Sequence, residues 1–472
     1  MKEYLFYCGG EFQKSDKRLV VTNPYDNSDF AYTYLADNQH IEEAIRKAQD
    51  SANLLWNLPS HKIETILLDI ANELTKHRRA LGEVLALEAC KPLKYAISEI
   101  DRAAQTFRVA AQEALRLLGE HLSLDWTAAG EGKEAWVKYF PVGVVAGISP
   151  FNFPINLATH KIASAIAARC PIVLKPASST PLSTLELAKI IDNTALPKGA
   201  LSVLPCNREV GNVLVTDDRI KLLSFTGSPA VGWEMKKRAS KKKVVLELGG
   251  NAACIIGSTA NLDLAIKKSV VGAFAYSGQV CIHAQRFFVH TSVYNEFLDR
   301  LIEETKLWKT GNPLEIETDM SSMIDEQNAI RVENWINEAL AMGAILHLGG
   351  KREGNFVEPT ILSGTNSSMK VNSEEVFGPV IVVEKFENFA DAIDEVNNSK
   401  YGLQAGVFTN LIDEMNLAFD QLQCGGVIIN DVPSYRADHM PYGGIKDSGL
   451  GREGVKYAIM EMMEPKILVK PK

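Results

Sequence analysis

Apolar positions recur at helical spacing from residue 39 to residue 120, as in Ile41, Ala44 and Ile45 and again from Ile63 to Leu81. A stripe of that period buries one face of each helix, so this stretch predicts a run of amphipathic helices. Beyond residue 140 the pattern changes. Short apolar runs predict strands at Val142 to Ile148, Pro171 to Leu174, Leu222 to Phe225, Val244 to Leu248, Phe287 to His290, Pro379 to Val383 and Val427 to Asn430. Between them, helical periodicity predicts helices at Ile155 to Ala168, Ser183 to Asn193, Leu262 to Tyr276, Val293 to Trp308, Ala390 to Asn397 and Ile412 to Leu422. Apolar strands alternating with amphipathic helices predict α/β units with mainly parallel sheets. No internal repeat, low-complexity tract or long Gly/Ser linker marks a boundary.

At 472 residues the chain exceeds one hydrophobic core and predicts two or three domains. Its 46% hydrophobic and 23% charged residues describe an ordinary soluble protein and exclude disordered and disulfide-scaffold classes. A formal charge of -8 argues against nucleic acid as a partner. One basic cluster, Lys236-Lys237-Arg238 with Lys241-Lys242-Lys243, runs against that trend and reads as a solvated helix end ahead of a buried strand. The N-terminus shows no signal-peptide pattern, and Pro150, Asn152, Pro154 and Asn156 interrupt the most apolar window, so no membrane partner is expected. Seven scattered cysteines without a CxxC spacing point to a reducing, cytoplasmic setting and no structural metal.

Five short motifs carry chemistry. Ser277-Gly278-Gln279-Val280-Cys281 ends a long apolar helix pattern, and Gly278 allows a sharp turn presenting a thiol to a cleft. Leu246-Glu247-Leu248-Gly249-Gly250-Asn251 sets a carboxylate in an apolar strand end, where burial would raise its pKa and make it a general base; an ion pair with the preceding lysines is the alternative. In Pro150-Phe151-Asn152-Phe153-Pro154 two prolines fix a turn whose Asn amide suits an oxyanion, or simply forms the turn. Lys175-Pro176 and Phe225-Thr226-Gly227-Ser228 each end a strand, where open α/β sheets bind ligands, although the usual G-x-G-x-x-G fingerprint is absent. Glu374-Glu375-Val376-Phe377-Gly378-Pro379 offers a carboxylate for ribose hydroxyls and an aromatic ring for a flat one.

Taken together and in this order, these motifs, with Pro441-Tyr442-Gly443-Gly444-Ile445-Lys446-Asp447-Ser448-Gly449, resemble the aldehyde dehydrogenase superfamily across essentially the whole chain. The resemblance implies a Rossmann-type dinucleotide-binding domain (1–118 and 140–248), an α/β catalytic domain (249–448) and a small β oligomerisation segment (119–139 and 449–472). It implies Cys281 as nucleophile, Glu247 as the base for the deacylating water, and Asn152 with the Cys281 backbone N–H as the oxyanion site. Cofactor contacts are implied at Lys175, Ser178, Gly227, Ser228, Glu375 and Phe377, flanked by Phe151 and Gly249. The reaction implied is NAD(P)-dependent oxidation of an aldehyde to the acid through a thiohemiacetal and a thioester, in a homodimer or homotetramer.

One position departs from the family pattern. NAD-preferring members often carry Glu three residues after the lysine, and this chain has Ser178. Losing a carboxylate there removes repulsion toward a 2′-phosphate, so NADP is expected to be accepted. The stretch from Asp431 to Pro441 resembles the branch containing lactaldehyde, phosphonoacetaldehyde and succinic-semialdehyde dehydrogenases. It places Arg436, with Arg102 and Arg286 as weaker candidates, where a guanidinium could hold an anionic or hydroxylated aldehyde. Competing readings are a coenzyme-A-acylating relative, disfavoured by Glu247, and a cofactor-free cysteine hydrolase, for which only His283 lies near Cys281 in sequence.

Overall fold

The computed structural model describes every residue from Met1 to Lys472. The larger sheet has eight strands, in the order Gly449–Leu450, Lys243–Glu247, Ile220–Thr226, Val144–Ile148, Ile172–Lys175, Leu201–Val203, Phe6–Cys8 and Glu11–Gln13. The five strands from Lys243–Glu247 to Leu201–Val203 are parallel to one another, and antiparallel pieces close both edges. From Val144–Ile148 the chain winds first to one side of the sheet and then, at Ile220–Thr226, to the other. Such a reversal opens a crevice beyond the carboxyl ends of the strands, where doubly wound sheets bind ligands.

The helical N-terminal region forms Asn38–Trp56, Ser60–Lys76, Arg78–Ala89 and Leu93–Ala114. Asp37 starts the first of these, its carboxylate accepting from the backbone N–H of Gln39 (2.9 Å) and His40 (3.1 Å). Ile41, Ala44, Ile45 and the later stripe residues share one core of 73 buried residues with the strands of the eight-stranded sheet. One shared core makes these helices a layer packed on the eight-stranded sheet rather than a domain of their own.

The second sheet orders Ile345–Leu348, Thr360–Ser363, Val380–Phe386, Arg286–His290, Ala253–Ile256, Gln404–Phe408 and Gly426–Ile429, all parallel except the first pair. A small antiparallel sheet joins Glu120–Ser123, Lys133–Pro141 and Met463–Pro471, the last two in register from Met463 opposite Pro141 to Pro471 opposite Lys133. No helix is long and apolar enough to cross a membrane.

Predicted strands and helices recur within three residues at each end, and the basic cluster divides as expected. Lys236, Lys237 and Arg238 form the last turn of helix Pro229–Arg238, and Lys243 opens the next strand. Three differences stand out. The helix from Leu262 stops at Phe274 instead of Tyr276, because the chain turns into left-handed backbone there. Ala253–Ile256 and Gln404–Phe408, central strands of the second sheet, are too short and too uniformly buried to show a period. Finally, residues 449–462 do not belong with the small sheet. Gly449–Leu450 pairs with Lys243–Glu247, and Val455 and Ile459 of helix Val455–Glu461 enter the large core, leaving Met463–Pro471 for the small sheet.

Candidate active site

The crevice predicted by the strand order is a cavity of about 420 Å³. Its walls come from the segments after three adjacent parallel strands: Pro150, Phe151 and Asn152 after Val144–Ile148, Gly227 and Ser228 after Ile220–Thr226, and Glu247 with Leu248 and Gly249 at the end of Lys243–Glu247. The second sheet's domain contributes Cys281, Glu375, Phe377, Arg436 and Tyr442.

Cys281 is delivered by an unusual turn. Tyr276, Ser277 and Gly278 take consecutive positive φ values of 52°, 54° and 66°. Left-handed backbone costs a non-glycine residue on the order of 1–3 kcal/mol, so other contacts must hold the turn. Three do so: the Tyr276 hydroxyl donates to Ala89 O (3.0 Å), Ser277 Oγ to Ser321 O (2.6 Å), and Ile324 N to Gln279 Oε1 (3.0 Å). Gly278 admits no side chain, since a Cβ would sit 2.2 Å from Gly378 O. The Cys281 sulfur lies 3.1 Å from the Tyr442 hydroxyl. Burial pushes the thiol up to about 11, against the opposing pull of that hydroxyl.

Glu247 is buried, and neither carboxylate oxygen has a hydrogen-bond partner. Burial, and then the nearby charge of Glu453, raise its pKa well above the usual carboxylate range. Glu453 shows the opposite outcome at equal depth. Burial alone would raise it too, but Lys161 (3.1 Å) and Arg436 (3.1 Å) outweigh burial and hold it at about 2. Two buried carboxyls with pKa values driven apart mark a site equipped for proton transfer.

Asn152 is fixed at both ends. One amide N–H donates to Gln279 O (2.9 Å), leaving the second for an incoming oxygen, and its backbone carbonyl accepts from Lys91 Nζ (2.5 Å). Lys91 is itself buried, pairs with Glu99 and lies 3.8 Å from the Phe153 ring centroid. The other oxygen of Glu99 caps helix Pro154–Ala167 through Ile155 N (3.2 Å) and Asn156 N (3.1 Å). A thiol, a carboxyl with raised proton affinity and a tethered amide thus face one cavity.

The model of the aldehyde dehydrogenase family matches residues 12–468. The chain belongs to the aldehyde dehydrogenase family. It is 40% identical over 470 residues to a 3-sulfolactaldehyde dehydrogenase of Priestia aryabhattai, covering 99% of this chain and 98% of that one. It is 41% identical over 458 residues to a lactaldehyde dehydrogenase of Methanococcus aeolicus, covering 96% and 97%. Among solved structures, aldehyde dehydrogenase 21 of Physcomitrella patens, in complex with the reaction product succinate, superposes with a TM-score of 0.98 at 43% identity, covering 100% and 98% of the two chains. A glyceraldehyde-3-phosphate dehydrogenase of Methanocaldococcus jannaschii complexed with NADP superposes with a TM-score of 0.93 at 36% identity, covering 98% and 100%.

As an aldehyde dehydrogenase the protein oxidises aldehydes with NAD or NADP, and the crevice fits a dinucleotide. Helix Pro229–Arg238 begins at Ser228 with no side-chain cap, so its first N–H groups remain available to a pyrophosphate. At Gly227 a Cβ would sit 2.6 Å from the Phe225 ring, which keeps the backbone bare there. Glu375, pushed up to about 7 by burial, accepts from Gly250 N (3.0 Å), and Phe377 meets Phe151 edge-on at 5.8 Å.

The predicted residues of this aldehyde dehydrogenase separate into groups. Cys281, Glu247, Asn152, Phe151, Gly227, Ser228, Gly249, Glu375, Phe377 and Arg436 line the one cavity. Lys175, the last residue of the next strand, and Ser178 just after it lie outside the cavity. Lys175 packs where a Cβ on Gly211 would touch its Cδ at 2.9 Å, and Ser178 Oγ donates to Cys206 O (3.5 Å). Arg102 lines a neighbouring cavity of about 200 Å³ with Phe153 and Val280, and pairs with Asp438 (2.7 Å). Arg286 is a correction. It is buried away from both cavities, its guanidinium donating to the carbonyls of Asn251 (3.0 Å), Glu395 (3.2 Å) and Val396 (3.1 Å), so it ties a helix end to a strand and cannot meet a substrate. His283 is also buried outside the cavity, and burial lowers its imidazole to about 4, so it is no partner for Cys281.

Sequence reasoning missed Lys161, Glu453 and Tyr442. Lys161 had a signal, a lone lysine inside the wholly buried helix Pro154–Ala167. Tyr442 stood in the Pro441–Gly449 motif without a role assigned to it, and Glu453 had no signal of its own, since its importance rests on the contacts that folding creates.

Proposed function

We propose that the protein oxidises a small anionic or hydroxylated aldehyde through a thioester on Cys281. One observation carries this reading: a single cavity gathers a thiol on a strained turn, a buried carboxyl without partners and a tethered amide. The Cys281 thiolate adds to the carbonyl carbon, and the carbonyl electron pair moves to oxygen. The free N–H of Asn152 and the backbone N–H of Cys281 receive that oxyanion, a contribution of roughly 3–4 kcal/mol. When bound, the nicotinamide dinucleotide supplies the hydride acceptor. Glu247 then takes a proton from water, and the resulting hydroxide attacks the thioester carbon. The S–C bond breaks, releasing the acid and restoring the thiolate. Two rival readings fare worse. A cofactor-free hydrolase would need a histidine beside Cys281, and release to coenzyme A would leave Glu247 without a task.

The aldehyde class rests on Arg436. Its guanidinium is held by Glu453 and by His160 (3.3 Å), while Nε is buried at the cavity wall without a partner. An unpartnered buried donor favours a substrate oxygen. The names of the sulfolactaldehyde and lactaldehyde relatives, and the succinate in the moss enzyme, agree with it. For the cofactor, Ser178 leaves room for a 2′-phosphate that Lys175 can neutralise, favouring NADP. A panel of small aldehydes with each cofactor, read as reduced-nicotinamide absorbance, tests both points. Carboxylate and hydroxy aldehydes are expected to exceed neutral ones of equal length in kcat/KM, and NADP to match or exceed NAD. Equal values for neutral aldehydes, or a large NAD advantage, would overturn the respective claim. In Ser178→Glu, NADP use is expected to fall about tenfold through carboxylate–phosphate repulsion.

The same reading makes the protein a cytoplasmic homodimer or homotetramer. Trp136 and the opposing Leu468 on one face of the small sheet, and Ile467 and Val469 on the other, are about half or more exposed, apolar surface that a second subunit would cover. Light scattering checks this, and a strictly monomeric species in solution contradicts it.

A further inference from the structure

We propose that Tyr442 is a catalytic residue whose hydroxyl donates a hydrogen bond to the Cys281 thiolate, both before attack and when sulfur leaves the thioester. This rests on Cys281 being the nucleophile. The two atoms are 3.1 Å apart, and nothing else in the structure hydrogen-bonds that sulfur.

The direction of the bond follows from the surroundings. Burial, and then the neighbouring thiol, raise the phenol well above its ordinary value of 10.0, so it keeps its proton at every working pH and can only donate to an ionised sulfur. The groups facing Cys281 are Tyr442, Glu375, Arg436 and Glu247. Both carboxyls oppose a negative sulfur, and Arg436 favours one but is already shared with Glu453. A neutral donor in direct contact is therefore the strongest stabiliser the site offers a thiolate.

The ring is held for this task. The Arg436 guanidinium lies 3.7 Å from its centroid. A two-way backbone bridge, Tyr442 N to Glu453 O (3.0 Å) and Glu453 N to Tyr442 O (2.7 Å), fixes the main chain. The residue is 3% exposed. Ionisation of Cys281 sends the S–H proton to water in the cavity, while the phenol retains its own proton throughout. When the S–C bond of the thioester breaks, sulfur takes the electron pair and again accepts from Tyr442. A phenylalanine would pack equally well here and supply none of this.

The test is the pH dependence of iodoacetamide alkylation at Cys281, assigned by peptide mapping, in the parent and in Tyr442→Phe. Loss of a hydrogen bond to a charged group is expected to move the midpoint up by about one pH unit, with a tenfold slower reaction at neutral pH and convergence at high pH. The aldehyde kcat/KM should follow the same profile. Incorporating 3-fluorotyrosine at position 442, a stronger donor of nearly the same shape, should move the midpoint down, and it serves if Tyr442→Phe folds poorly. An unchanged midpoint in either protein overturns the proposal. Should alkylated Cys281 leave oxidation intact, the nucleophile assignment itself fails, which is a separate result.

Discussion

Cys281→Ser is expected to lower aldehyde oxidation on the order of 10⁴-fold or more while the protein remains folded and still binds its dinucleotide. A serine hydroxyl is far harder to ionise than a thiol, and a serine nucleophile needs an adjacent base to take its proton. The cavity offers none with suitable geometry: His283 is buried elsewhere and held neutral, and the Cys281 sulfur touches a tyrosine. The substitution exchanges one small side chain for another at a turn held by Tyr276, Ser277 and Gln279, so the change in stability should stay within about 1 kcal/mol. Dinucleotide binding should survive because Gly227, Ser228 and the uncapped helix end belong to the other sheet. Reduced nicotinamide measured under single-turnover conditions decides the matter. A Cys281→Ser protein that turns over at the parent rate would remove the nucleophile from the scheme.

The doubly wound sheet was legible because its strands announce themselves: Val144–Ile148 and Ile220–Thr226 are largely apolar runs bounded by Gly and Pro, and a helix follows each. Their order in space was not legible, yet that order opens the crevice between Phe151 and Gly227. The motif positions of Cys281, Glu247 and Asn152 were readable, since each breaks a local rule: a thiol after a turn glycine, a carboxylate in an apolar strand, an amide between prolines. The arginines were not. Arg102, Arg286 and Arg436 look alike along the chain, and only tertiary contacts distinguish a carbonyl clamp, an Asp438 partner in a side cavity and a group at the cavity wall with a free Nε. Glu453 illustrates the same limit. It sits in a glycine-rich stretch with no pattern, and folding alone sets it between Lys161 and Arg436.

Those contacts also explain why two carboxyls in one site can differ so much. Glu453 receives both cations, and Glu247 receives no hydrogen bond at all. Proton affinity follows partners rather than depth, because burial penalises both charges while only Glu453 recovers the loss. The chain therefore holds a permanently ionised carboxylate beside one that binds a proton readily.

Glu247→Gln is expected to cut steady-state turnover by about 10²–10⁴-fold while preserving a first-turnover burst of reduced nicotinamide. Forming the thioester needs Cys281 and Asn152, whereas clearing it needs a base for water, so acyl-enzyme should accumulate to nearly one per site. Residual parent activity should rise with pH through a value above the ordinary carboxylate range, because only ionised Glu247 accepts the proton. The linkage has a second consequence. A carboxyl whose folded pKa lies above its unfolded value binds more protons folded than unfolded, so the contribution of Glu247 to stability is fully present below pH 4.5 and is lost as pH climbs through the folded value. Glutamine cannot ionise, and the variant should therefore melt above the parent at neutral pH, with the difference vanishing near pH 4. A loss of the burst together with the steady state would place Glu247 in thiol activation, and a lower melting temperature at neutral pH would mean that its carboxyl is satisfied in solution.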